Sequence, residues 1–191
     1  MAFKQSILNN LKNILGWKTS RKIVVISVDD YGNVRLDSAK SRSNMNKKGL
    51  KVNDRFDALD TLETREDLSM LYDALTSVRD KHGRHAVFTP FALPCNINFE
   101  KMAKDNYEKY EYELLPETYA KLSEKDPKAY KGTWSLWQEG IDKGIMVPQF
   151  HGREHFNLKV FKEKLAAKDT ELLIVLKNRS YTSISSTGYE S

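Results

Sequence analysis

The stretch that decides the fold is VVISVDDYGNV, residues 24–34, where a run of apolar and small residues leads directly into two consecutive aspartates. With the residues before it, the run reads RKIVVISVDD, which predicts a strand buried on both faces of a parallel sheet. Successive side chains of a regular strand point to opposite faces, so Asp29 and Asp30 can enter one site only where the strand breaks. Gly32 permits such a break, and parallel α/β folds assemble their sites at strand carboxyl ends.

Outward from this strand, predicted strands and helices alternate, which favours βαβ units and a largely parallel sheet, open or closed into a barrel. Further strands are predicted at 85–91 and 145–151. Helices are predicted at 36–49, 65–83, 116–125, 132–144, 158–168 and 170–177. Gly49 and Gly83 are expected to end the first two of these helices, and Asn157 is expected to cap the fifth.

Apolar residues also recur at helical spacing at the start of the chain, which predicts an amphipathic helix there. Such a helix can rest on a membrane surface, but more often it covers its own domain, and that interpretation is favoured. The residues of this apolar stripe are Phe3, Ile7, Leu8, Leu11, Ile14 and Leu15.

Size and composition describe an ordinary globular chain. It has 191 residues, 40% of them hydrophobic and 30% charged, so a single domain spanning residues 1–191 is expected. No apolar run reaches the roughly 20 residues of a transmembrane helix, and no signal peptide is recognisable, so a cytoplasmic location is predicted. The formal charge of +5 is spread along the chain, which argues against nucleic acid as a partner.

Two histidines four residues apart follow the last predicted strand, in the stretch QFHGREHFN. In a helical turn, residues at this spacing share a face, so His151 and His155 could reach one metal ion. Two imidazoles and one carboxylate on one side of a metal leave the remaining positions open for water and substrate. Together with the aspartate pair, the histidine pair therefore predicts a divalent metal site.

Each half of this site also has a simpler explanation. An Asp-Asp pair is common at loop starts, where one residue caps the following turn and the other faces water. The stretch HGREH, residues 151–155, also matches His-x-x-Glu-His, the zinc-peptidase pattern in which Glu154 would be the base. That pattern requires a continuous helix, however, and Gly152 and Pro148 disfavour one.

At these residues the chain resembles the polysaccharide deacetylase family, also called carbohydrate esterase family four. The family's strand ending in Thr-Phe-Asp-Asp-Gly corresponds to SVDDYG here, its second strand to HAVFTPF, and its His-(Ser/Thr)-x-x-His motif to HGREH, in the same order. The resemblance implies that Asp29 is the general base and that Asp30, His151 and His155 bind the metal, usually zinc. It also implies an acetylated glycan as substrate.

The chain departs from the family pattern in its second half. Two later motifs, an Arg-x-Pro-Tyr element and the Leu-x-x-His that supplies the general acid, have no match, and material is inserted around 43–65 and 96–145. The expected fold is therefore an incomplete deacetylase-type (β/α) barrel with a helical insertion, forming the N-terminal part of a longer barrel. The expected function is hydrolysis of N- or O-acetyl groups, and the alternative is a metal- or carbohydrate-binding module without turnover.

Overall fold

Three short parallel strands form the sheet at the centre of the structure, a computed structural model that describes residues 16–52 and 61–181 together with Leu11 and Ile14. The described residues contain five strands in all, which are β1 (Ile26–Tyr31), β2 (Phe88–Ala92), β3 (Cys95–Ile97), β4 (Tyr112–Leu114) and β5 (Gln149–Phe150). The parallel sheet has the order β1-β2-β5, whereas β3 and β4 form a separate antiparallel pair. The predicted parallel pairing is confirmed. Over the described residues the parallel sheet is open, and the barrel stays a prediction.

The six helices predicted after β1 all form, and most begin and end close to the expected residues. They are α1 (Ala39–Lys47), α2 (Arg65–Thr76), α3 (Phe99–Lys104), α4 (Leu115–Lys125), α5 (Pro127–Tyr130), α6 (Thr133–Asp142), α7 (Leu158–Ala166) and α8 (Thr170–Lys177). The Asn157 side chain accepts a hydrogen bond from the Val160 N–H and caps α7 as predicted. No helix in the described ranges combines the length and apolarity needed to cross a bilayer.

Two helix predictions need comment. Helix α2 ends at Thr76 rather than at Gly83, because Gly83 belongs to a separate turn in which its N–H donates to Asp80 O. The predicted N-terminal amphipathic helix lies largely outside the described residues. Of its apolar stripe, only Leu11 and Ile14 are described, and both are more than half exposed.

The core is divided into two clusters of buried residues. One lies between the parallel sheet and helices α2, α4 and α6, and its members include Tyr72, Phe88, Tyr119, Trp137 and Met146. The other gathers α1, α3, α7 and α8 around Met45, Met102, Phe161, Leu172 and Val175. Residues 96–145 therefore contribute Tyr119 and Trp137 to the first of these clusters.

Strand β1 is not buried on both faces, so that prediction is wrong. Val24 is 86% exposed, Val25 is 75% exposed and Val28 is 44% exposed. Among the described residues β1 pairs only with β2 and forms an edge of the sheet, so its amino-terminal half has no neighbour to cover it. An apolar run predicts a strand, but it does not say whether the strand is central or at an edge.

Gly140 allows α6 to lie close to α2. A Cβ at this position would lie 2.3 Å from the Tyr72 hydroxyl oxygen and 3.1 Å from Met146 Cβ. We expect Gly140→Ala to lower the free energy of unfolding by about 1–3 kcal/mol, because the added methyl group overpacks this contact. Urea unfolding measures the change, with Gln138→Ala on the exposed side of α6 as the control. Equal urea midpoints for the two variants would contradict this explanation.

Candidate metal centre

The two aspartates of β1 converge because the strand contains a bulge between Val28 and Tyr31. Val28 pairs with Pro90 and Tyr31 pairs with Ala92, so one extra residue is accommodated on the β1 side. Asp30 has a φ of 55°, in the left-handed region, and Gly32 follows with a φ of 98°. The break therefore occurs at Asp30 itself, and Gly32 allows the chain to turn away after it.

Tyr31 is the residue that anchors this bulge. Its ring lies 5.5 Å from that of Phe88 and 5.4 Å from that of Trp137, centroid to centroid, within the core cluster below the sheet. Burial raises the pKa of the Tyr31 hydroxyl, which fits a packing role. The tyrosine that separates the aspartates from Gly32 thus fixes the end of β1.

The two histidines lie on an irregular turn after β5. They do not lie on the helical turn from which the shared site was predicted. Gly152 has a φ of 97° and His155 has a φ of 57°, and helix α7 begins only at Leu158. Two left-handed residues reverse the chain so that the imidazole rings face each other, with centroids 5.0 Å apart. The structure places both rings in one group with Asp30 through this turn and not through a helical spacing, and metal binding by the group stays a prediction.

The structure brings together the three predicted metal ligands from β1 and from the turn after β5, the two strands that flank β2 in the sheet. The Nε2 atom of His151 lies 3.4 Å from Asp30 Oδ1, and the Nε2 atom of His155 lies 3.2 Å from the same oxygen. Ligand atoms of all three residues lie within 4.8 Å of one another. The backbone fixes this meeting point, because the His151 N–H donates to Ala92 O and the Leu93 N–H donates to Tyr31 O.

This donor set fits a divalent metal ion. Ligand atoms on a tetrahedral ion with bonds of about 2.1 Å lie roughly 3.4 Å apart, which is close to both oxygen–nitrogen separations. Asp30 Oδ1 is also a buried oxygen that accepts no hydrogen bond from the described residues, as expected for an atom oriented toward a cation. The other oxygen, Oδ2, lies 3.9 Å from Arg35 NH1.

Asp29 lies beside the three predicted ligand residues and outside the group whose ligand atoms lie within 4.8 Å of one another. Its Oδ1 atom is 2.9 Å from His151 Nε2, and its side chain is 68% exposed, compared with 27% for Asp30. A cleft of about 320 Å³ opens next to both aspartates and is bounded on its far side by residues 61–63. This volume lies within the range of small-molecule sites, about 300–1,000 Å³. The exposed carboxylate is therefore accessible to a ligand in the cleft.

Asn96 on β3 holds the turn that carries the aspartates, and the sequence analysis missed it. Its side-chain amide is buried and donates to Gly32 O at 3.0 Å and to Thr118 Oγ1 at 3.1 Å. Its Oδ1 atom accepts from the Val34 N–H at 2.8 Å and from the Asn33 amide at 3.2 Å. All the hydrogen-bonding capacity of the amide is used. The only sequence signal for the role of Asn96 was its position inside a short apolar stretch. Strands are depleted in asparagine, so one at such a position suggests a specific hydrogen-bonding role.

Glu154, the base of the alternative zinc-peptidase pattern, has a different environment. Only 4% of it is exposed, and its Oε1 atom accepts from the Tyr110 hydroxyl and from Arg153 NH2. No helix carries the motif among the described residues, since 151–157 form turns and bends. Neither feature supports a peptidase arrangement.

His82 and His85 lie between α2 and β2, whereas Cys95 lies next to the turn that carries the other two histidines, where its N–H donates to Arg153 O. Cys95 is buried, and burial raises the pKa of its thiol, so it has none of the properties of an activated nucleophile.

Comparisons of the chain with protein-family models, with curated proteins and with solved structures find no match. The assignment of a function therefore depends on the chemistry of the site.

Proposed function

We propose that this chain is a metal-dependent hydrolase that removes acetyl groups, N- or O-linked, from a polysaccharide or oligosaccharide. The observation that carries the proposal is the meeting of Asp30, His151 and His155 within 4.8 Å, with the exposed Asp29 carboxylate adjacent to them. Two ion pairs, His151 with Asp29 at 2.9 Å and His155 with Asp30 at 3.2 Å, would use both histidines. They do not require that His151 Nε2 also lies 3.4 Å from Asp30 Oδ1, so that both imidazoles face one carboxylate oxygen.

The residues have separate tasks in this proposal. Asp30, His151 and His155 hold the ion, which is expected to be zinc because imidazole and carboxylate ligands suit it. When bound, the ion supplies Lewis acidity, which makes a water more acidic and polarises the acetyl carbonyl. Asp29 takes the proton of the attacking water as general base, which requires a carboxylate that is close to the ion but is not a ligand.

An acetylated glycan as substrate follows from the family resemblance, and the cleft next to Asp29 offers space for one sugar residue bearing the acetyl group. The barrel that the resemblance implies, and the cytoplasmic location, are part of the same proposal. A metal- or carbohydrate-binding module without turnover is the second candidate.

Metal analysis tests the proposal directly. We expect about one zinc ion per chain in the wild type after dialysis and a loss of at least 10-fold in zinc affinity for Asp30→Ala and for His151→Ala, since each removes one ligand. His82→Ala is the control, because His82 is exposed and lies in the turn after α2. Equal zinc content in the wild type, both ligand variants and the control would exclude a metal centre at these residues.

A further inference from the structure

We propose that Tyr110 and Glu154 form a positioning pair that holds the histidine turn, residues 151–157, in the conformation needed for metal binding. The inference rests on the proposed function, since it assumes that His151 and His155 bind the ion. It assigns a role in metal affinity to two residues that do not themselves bind the ion. Tyr110 also belongs to the inserted region, which thereby contributes to the site.

Among the contacts of the described residues, three hydrogen bonds attach the histidine turn to the rest of the protein, and Phe156 also packs against Phe161 and Tyr181. At its start, the His151 N–H donates to Ala92 O at 3.1 Å, and in its middle the Cys95 N–H donates to Arg153 O at 3.2 Å. Both contacts fix the backbone before Glu154. The third hydrogen bond is made by the side chain of Glu154, which accepts from the Tyr110 hydroxyl. Glu154 is the residue directly before His155.

Glu154 is placed so that its contact determines the direction of the His155 side chain. His155 adopts a left-handed φ of 57°, which is unfavourable for a residue other than glycine and persists only where neighbouring contacts impose it. The Tyr110 hydroxyl donates to Glu154 Oε1, and Arg153 NH2 lies 2.7 Å from the same oxygen. A buried carboxylate with these two donors cannot move without leaving one of them unpaired.

Tyr110 is itself held rigidly, so its hydroxyl is a fixed point. Its ring contacts Phe156, which follows His155, at 6.0 Å between centroids, and Phe161 of α7 at 5.5 Å. Phe161 is fully buried in one of the two core clusters. The hydrogen bond from Tyr110 to Glu154 thus links the histidine turn to the core, and partners of this kind tune metal affinity in other proteins.

Tyr112 provides a matched control on the same segment. Arg153 also lies over the Tyr112 ring, at 4.9 Å from the centroid. Tyr112 is 45% exposed, however, and the hydroxyl that donates to Glu154 belongs to Tyr110. Tyr110→Phe and Tyr112→Phe therefore both remove one hydroxyl group and retain one ring. Only the first removes the bond to Glu154.

The test is zinc affinity, measured by competition with a chromogenic chelator, together with the visible absorption spectrum of the cobalt-substituted protein. We expect Tyr110→Phe to lower zinc affinity by about 10- to 100-fold, the effect typical of groups that orient ligands, and to change the cobalt spectrum. Tyr112→Phe is expected to match the wild type. Melting temperatures without metal report whether each variant folds.

A second pair of variants keeps the test decisive if Tyr110→Phe does not fold. The carbonyl oxygen of Glu154→Gln can still accept from Tyr110, so its zinc affinity should stay within a few-fold of wild type, whereas Glu154→Ala should lose affinity as Tyr110→Phe does. Equal zinc affinity for the wild type, Tyr110→Phe and Glu154→Ala would overturn the inference and leave the proposed function standing. A wild type that binds no zinc would overturn both.

Discussion

Asp29→Asn is expected to retain the bound metal and to release acetate at a rate about 10²–10⁴-fold lower than the wild type. The amide has nearly the same shape as the carboxylate but cannot take a proton from the attacking water, and this range is typical for the loss of a general base. Asp29 is outside the group of ligand atoms formed by Asp30, His151 and His155, so its replacement removes no bond to the ion.

The measurement combines zinc content with acetate release from a panel of acetylated oligosaccharides. Asp30→Asn is the informative comparison, because its effect should appear in zinc content as well as in turnover. Loss of zinc from Asp29→Asn, with retention by Asp30→Asn, would show that the two aspartates have exchanged roles. Wild-type protein that binds zinc and an oligosaccharide but releases no acetate would favour the binding module.

Asn96→Asp is expected to lower the free energy of unfolding by about 3–5 kcal/mol at neutral pH. The substitution keeps the shape of the side chain but places an unpaired negative charge in a buried site. It also replaces the N–H groups that donate to Gly32 O and Thr118 Oγ1 with an acceptor. Thr118 Oγ1 already donates to the buried Glu113, so the new charge would lie near an existing one.

Acidification should reverse part of this loss, because a buried, uncompensated carboxylate has a raised pKa and becomes neutral as the pH falls. Urea unfolding at several pH values measures the effect.

Asn98→Asp, two residues along the chain, is the control. Asn98 caps α3 by accepting from the Lys101 N–H, and Lys121 Nζ lies 3.4 Å from its Oδ1, so an aspartate there keeps the cap and has a cation nearby. Equal destabilisation by the two substitutions would contradict the role given to Asn96.

Sequence reasoning succeeded where local chemistry decides the outcome. The bounds of α7 follow from apolar periodicity and from the predicted cap at Asn157, which accepts from the Val160 N–H, and those of α8 follow from periodicity. Asp169, which was not predicted as a cap, accepts from the Leu172 N–H at the start of α8. The meeting of Asp30 with His151 and His155 was predictable, because parallel strands align their carboxyl ends at one edge. Parallel pairing of β1 with β2 and of β2 with β5 provides that alignment.

Sequence reasoning failed where contacts between distant residues decide the outcome. The exposure of β1 depends on which strands lie beside it, and the apolar run contains no such information. The bulge at Asp30 depends on the packing of Tyr31 in the core. The histidine turn depends on Tyr110, which is 44 positions from Glu154 in the chain. Asn96 is even farther along the chain from the turn it supports, at 64 positions from Gly32.

The left-handed backbone at Asp30 and His155 also has a consequence for how this protein balances stability against chemistry. Each such residue costs of order 1–3 kcal/mol relative to a relaxed conformation, and glycine would remove most of that cost. Folding alone would therefore favour glycine at two of the three ligand positions, whereas the chain has an acid and an imidazole there. At these two positions of the site, the sequence gives up some conformational stability, and three donor atoms face one point.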